Sequence, residues 1–203
     1  MTLNSQFKLL CYRWREKAKE YNNADIHQLF DKFFTLYVVY NMLYSETAAY
    51  LHRKAISEEK QEYKLDCENF PDKNAATKYV LALLTSKGLM QSLESIDATK
   101  QAIDKLKTLI DRQRSPQFSI CLDPVFGDEQ ENEDSKLMQM LYSQNTDERA
   151  RAILEIIYHV RCNMFHGRKS VDPVQMELLI PLTLLLEKII DKLYRKLDGL
   201  DYV

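Results

Sequence analysis

Residues 25–54, DIHQLFDKFFTLYVVYNMLYSETAAYLHRK, decide the fold class. From Asp25 the apolar pattern passes through Leu29, Phe33, Tyr37, Tyr40 and Tyr44, steps of three and four that line one side of a helix, with no Gly or Pro before Lys54 to end it. The pattern predicts a long central helix. Upstream, Phe7, Leu10, Trp14, Ala18 and Tyr21 recur at the same spacing, a first amphipathic helix that Asn22-Asn23 would stop. Downstream, residues 57–70 are polar and end at Pro71, which predicts a weak helix or a connection. Asn74 is placed to cap a helix carrying Val80, Leu83 and Leu84 that Gly88 closes, and Leu93, Ile96, Ile103, Leu106 and Ile110 extend the helical period. Thr146, followed by Asp147 and Glu148, predicts the start of a helix over about 147–166 that ends at Gly167. Asp172-Pro173 then opens a last helix with Leu178, Leu182, Leu185, Ile189 and Leu193 inward and a kink at Pro181.

Composition agrees with that reading. A chain of 203 residues that is 45% hydrophobic, with 4 Gly and 5 Pro, can bury a continuous core and has too few turn formers for a sandwich or barrel. The expectation is one all-α domain over 1–203, interrupted by a mobile acidic loop at about 115–134, with 128–134 poorly ordered. Cys11, Cys67, Cys121 and Cys162 are widely separated and form no C-x-x-C pair, which predicts a reduced, cytoplasmic protein without a zinc site. Neither a secretory signal nor a membrane-spanning run is expected. A net charge of −2 places any phosphate recognition in a local basic cluster.

Such a cluster lies on the 147–166 helix. At 100° per residue, Ile153, Leu154, Ile156, Ile157, Val160, Met164 and Phe165 form one apolar arc, and Arg161 falls inside it. An unpartnered guanidinium is costly to bury, so Arg161 must meet a carboxylate, for which Glu46 is a candidate, reach the edge of the arc, or face an anion-binding cleft. His166 sits at the helix end, where free carbonyls favour its protonated form. Over residues 149–169, Arg149, Arg151, Arg161, Arg168 and Lys169 are five cations against the single acid Glu155, a local charge of +4. These cations are the candidate phosphate contacts, although a solvated basic helix face would read the same way. His159 and Asn163 share a polar face with His166, for which solvent exposure is the simplest explanation. His27 and His52 read as surface residues. No metal or cofactor is expected: Glu155 and His159 lack the Glu-x-x-His spacing of di-iron bundles, and no phosphate-cradling glycine loop or G-x-S-x-G elbow is present.

The stretch Val160-Arg161-Cys162-Asn163-Met164-Phe165-His166-Gly167 resembles the R-x4-6-H signature of the HEPN superfamily, most closely its Apea-like branch, and the aromatic run 33–41 resembles that family's early core helix. The resemblance implies a HEPN-like helical bundle with a long central helix and flanking helices, dimerising to join two motifs into a composite, metal-independent RNA-cleaving site. Arg161 and His166 take the two fixed positions of the motif. Asn163 is the supporting polar group, and Cys162 occupies a position that is usually polar. The implied reaction is attack of the RNA 2′-hydroxyl on its own phosphate, on single-stranded or looped RNA, in a defence or toxin–antitoxin setting with an antitoxin or nucleotidyltransferase as partner. Residues five apart on a straight helix point about 140° from each other. A homodimer, or an unwound last turn, would bring Arg161 and His166 to one site. The alternatives are a non-catalytic HEPN-like module that binds RNA, nucleotide or protein, and a structural interaction protein in which Arg161 is an ion pair and His166 a cap.

Overall fold

Four of the described helices open on side chains that accept hydrogen bonds from otherwise unpaired backbone N–H groups. In the computed structural model, which describes residues 3–21, 25–59, 62–63, 70–111, 119–123, 125–165 and 175–199, Asn4 accepts from the Gln6 amide at 2.8 Å and opens α1, Ser5–Glu20. Asp25 accepts from the Gln28 amide at 2.9 Å and opens α2, Ile26–Ser57. At 32 residues α2 is about 48 Å long. Its inward stripe, including Leu29, Phe33, Tyr37, Tyr40 and Tyr44, is buried as the periodicity predicts. The polar stretch after residue 57 lies largely outside the described residues.

From Asp72 the chain turns through α3 (Asp72–Asn74), a π-helical turn at Ala75–Tyr79 and α4 (Val80–Leu84). The Tyr40 hydroxyl donates to the Ala76 carbonyl within this wide turn and ties it to α2. Asn74 makes no capping bond, and the expected stop at Gly88 is displaced. The break comes instead at Thr85, a β-branched residue at φ 58°, a backbone strain of about 1–3 kcal/mol. Thr85 caps the following helix, α5 (Ser86–Glu94), its hydroxyl accepting from the Gly88 amide at 3.1 Å, so Gly88 lies in the first turn of a new helix. α6 (Asp97–Ile110) follows.

The acidic segment corrects the sequence reading. Glu131–Tyr142 is a helix, α7, whose first turn carries Glu131, Glu133 and Asp134 at the positive end of its dipole. Asp134 is 2% exposed and accepts from the Ser119 hydroxyl (2.9 Å) and from the Ile120 and Cys121 amides (3.1 and 2.7 Å). Just before α7, Leu122 and Glu129 form an antiparallel bridge, and Asp123 accepts from the Val125 and Phe126 amides. Charge density alone suggested disorder for 128–134. It missed that one of those carboxylates meets three buried donors, which favour it in the fold.

α8 spans Thr146–Phe165, but its cap is Asn145, which accepts from the Asp147 amide at 2.9 Å, and Thr146 lies inside the helix. α9 runs from Met176 to Asp198 across Pro181, while Asp172 and Pro173 lie outside the described residues. The chain is an all-α bundle. α2 and α9 pack along each other at its centre, α1 and α6 cover their flanks, and α8 packs on α5, α7 and the π turn. Lys8–Asp198, Arg15–Asp191 and Lys32–Glu187 ion pairs lace α1 and α2 to α9. Among the described residues no helix is long and apolar enough to cross a membrane.

Candidate functional site

The packing of α8 on the π turn carries the carboxyl half of α8 to the start of α3 and to the aromatic stripe of α2. Ile153, Leu154, Ile156, Ile157 and Val160 are buried as the arc predicts, whereas Phe165 is 56% exposed. Arg161 reaches the edge of the arc, with 21% of its side chain exposed. Its guanidinium lies over the Phe165 ring at 4.5 Å and the Tyr37 ring at 5.2 Å, and one Nη donates to the Cys162 sulfur at 3.7 Å. Phe165 in turn packs on Phe34, ring centres 4.5 Å apart. The cation is thus flanked by aromatic faces, a placement that restrains a guanidinium without neutralising it.

The carboxylate near Arg161 is Asp72, 3.8 Å away, and not Glu46, which pairs with Arg53. Asp72 has further company: the Tyr44 hydroxyl donates to one oxygen and the Tyr158 hydroxyl to the other, the latter at 3.3 Å. Its charge is therefore shared among three donors, and the Arg161 Nε, fully buried, has no hydrogen-bond partner. Burial pushes the Tyr44 and Tyr158 phenols above the ordinary tyrosine range, and the nearby Asp72 pushes them further in the same direction. Both stay protonated and act as donors. Burial works against the Arg161 charge, but the Cys162 thiol, Tyr37 and Asp72 outweigh it and shift its pKa upward.

The polar neighbours have other tasks. His159, expected on a solvent face, is half-buried with its Nε2 3.2 Å from the Lys73 ammonium. Burial first, and Lys73 second, lower its pKa, against the opposing pull of Glu155, Asp134 and Glu133. A neutral imidazole accepting from Lys73 fits that contact, with the ring proton then on Nδ1. Asn163 is 5% exposed and donates to the Ile120 carbonyl at 2.8 Å. Its amide anchors the Ser119–Leu122 segment, so it does not serve as a free polar helper beside Arg161. Cys162 is a partly exposed free thiol in contact with Arg161.

The expected basic cluster separates into pairs. Arg149 bonds Glu94 at 3.1 Å and the Ser143 carbonyl at 3.3 Å, and Arg151 bonds Glu155 at 2.6 Å. They lie twelve and ten residues before Arg161, about 18 and 15 Å along the helix. Both are engaged at the other end of α8, so they do not extend a phosphate footprint around Arg161. His166, Arg168 and Lys169 lie outside the described residues. Among the described residues no cluster of His, Cys, Asp or Glu is arranged to hold a metal ion. Sequence reading missed Asp72, Lys73 and Tyr158. The available clue was Pro71-Asp72, a helix-opening pair at the end of a connection that otherwise looked featureless.

Comparison of the chain with family models, with curated proteins and with solved structures finds no match.

Proposed function

We propose that this protein is a metal-independent endoribonuclease of the HEPN type, a homodimeric cytoplasmic enzyme acting on single-stranded or looped RNA in a defence or toxin–antitoxin setting. The observation that carries the reading is Arg161: a guanidinium held between Phe165 and Tyr37, partly exposed, with its nearest carboxylate 3.8 Å away and already bonded to two phenols. A cation restrained in that way is suited to phosphate oxygens, on which negative charge builds as a fifth oxygen approaches phosphorus. In the proposed reaction the RNA 2′-oxygen bonds to the adjacent phosphorus as its proton leaves, the bond to the 5′-oxygen breaks, and that oxygen takes up a proton. The products are a 2′,3′-cyclic phosphate and a 5′-hydroxyl. His166 is assigned the proton transfers, as an imidazole titrating near neutrality, and Arg161 the charge stabilisation.

A second reading, a non-catalytic module or structural interaction protein, is favoured by two observations: Asn163 is committed to the Ile120 carbonyl and Arg161 has a carboxylate within ion-pair reach. Purified protein incubated with RNA in excess EDTA separates the two. The catalytic reading expects cyclic-phosphate ends, activity that falls at low pH, a dimer by light scattering, and loss of about 10²–10⁴-fold in rate for His166→Ala. Arg161→Ala should lose cleavage as well. If both variants stay folded and cut RNA like wild type, or wild type is an inactive monomer, the catalytic assignment is wrong.

A further inference from the structure

A groove of about 470 Å³ runs between the Thr85 turn, Ser92 of α5 and the carboxyl half of α9. Its α9 wall presents Lys188, Lys192, Arg195 and Lys196, which at intervals of four, three and one residues fall on one helix face. Among the described residues none of the four has a carboxylate partner, and the acid beside them, Asp191, is bonded to Arg15. Like charges four apart on a helix repel, and two such pairs, Lys188 with Lys192 and Lys192 with Lys196, stand in sequence here. The helix dipole compensates cations in the last turn, which accounts for Arg195 and Lys196 and leaves Lys188 and Lys192 with no carboxylate ion pair among the described residues. Facing them are the hydroxyl-bearing Thr85 and Ser92. Thr85 is also the residue held at φ 58°, and strained non-glycine residues gather where ligands are clamped.

We infer that this groove binds the phosphate backbone of single-stranded RNA, the lysines contacting successive phosphates and the two hydroxyls donating to their oxygens. Lys188 and Lys192 are about 6 Å apart along the helix, as are Lys192 and Lys196, comparable to the step between phosphates of an extended strand. The groove's size lies within the usual range of ligand sites. It is distinct from the Arg161 site, because the helical run from Asp72 to Thr85 separates the two by about 20 Å. The inference rests on the RNA reading above for its ligand and deepens it by supplying a strand-holding surface that Arg149 and Arg151 do not.

The test is fluorescence anisotropy of a labelled 2′-O-methyl oligouridylate about 12 nucleotides long, which lacks the attacking hydroxyl and so reports binding apart from cleavage. Wild type is compared over a salt series with the triple variant Lys188→Gln, Lys192→Gln, Lys196→Gln and with a control carrying Lys17→Gln and Lys19→Gln on α1. The expected result is affinity about tenfold or more weaker in the triple variant, a salt slope smaller by about 2, and no change in the control. Equal binding by the triple variant and wild type overturns the groove, while Arg161-dependent cleavage measured separately leaves the ribonuclease reading standing. Tripolyphosphate binding that the triple variant loses, without any oligonucleotide binding by wild type, also overturns the inference and makes the groove a site for free polyphosphate.

Discussion

Asp134→Ala tests whether the acidic stretch before α7 is a structural anchor. The wild-type carboxylate is 2% exposed and satisfies the Ser119 hydroxyl and the Ile120 and Cys121 amides. The serine hydroxyl can rotate toward another acceptor, but the two backbone amides are fixed by the chain. Each orphaned buried donor costs about 1–3 kcal/mol, so two give a loss of about 2–6 kcal/mol, a large part of the stability of an ordinary domain. Asp134→Asn keeps the shape but offers one acceptor where two oxygens served, and should lose about half as much. Urea unfolding followed by circular dichroism measures both, with the exposed Glu131→Gln as a control expected within about 0.5 kcal/mol of wild type. The reasoning fails if Asp134→Ala unfolds within 1 kcal/mol of wild type, because the 119–122 segment would then be held by something else.

A pH series tests His159. Its folded pKa is depressed by burial and by Lys73, so above the ordinary imidazole value of about 6.5 its contribution to stability is fully present, and it is lost as pH falls from there toward the folded value. The stability difference between wild type and His159→Gln should shrink over that range, and Lys73→Met should raise the His159 pKa seen by NMR titration. An unchanged titration in Lys73→Met would show that the 3.2 Å contact does not persist in solution. Gly88→Ala offers a third check. A helical glycine replaced by alanine ordinarily gains up to about 1 kcal/mol, but here the new Cβ would sit 2.9 Å from the Thr85 hydroxyl that caps the same helix. Thermal unfolding should therefore show the variant less stable than wild type, and a raised melting temperature would refute the cap geometry.

The all-α class and the long α2 were legible because apolar period and the absence of Gly and Pro act locally, residue by residue, along the chain. The start of α2 near Asp25 and the inward stripes of α8 and α9 were legible for the same reason, whereas the capping role of Asp25 came from the structure. Three things needed the tertiary structure. Asp134 reads from sequence as one more acid in a solvated run, and only the approach of Ser119, Ile120 and Cys121 makes it a buried acceptor. Asn163, marked by the motif as a functional amide, is claimed by a carbonyl 43 residues away. Arg161 had to find a partner or an edge, as the cost of burying a charge dictates, and its sequence determined that requirement but not its solution. Which carboxylate stands near it depends on where the π turn sets Asp72 against α8, a matter of packing between segments far apart in sequence that no local pattern encodes.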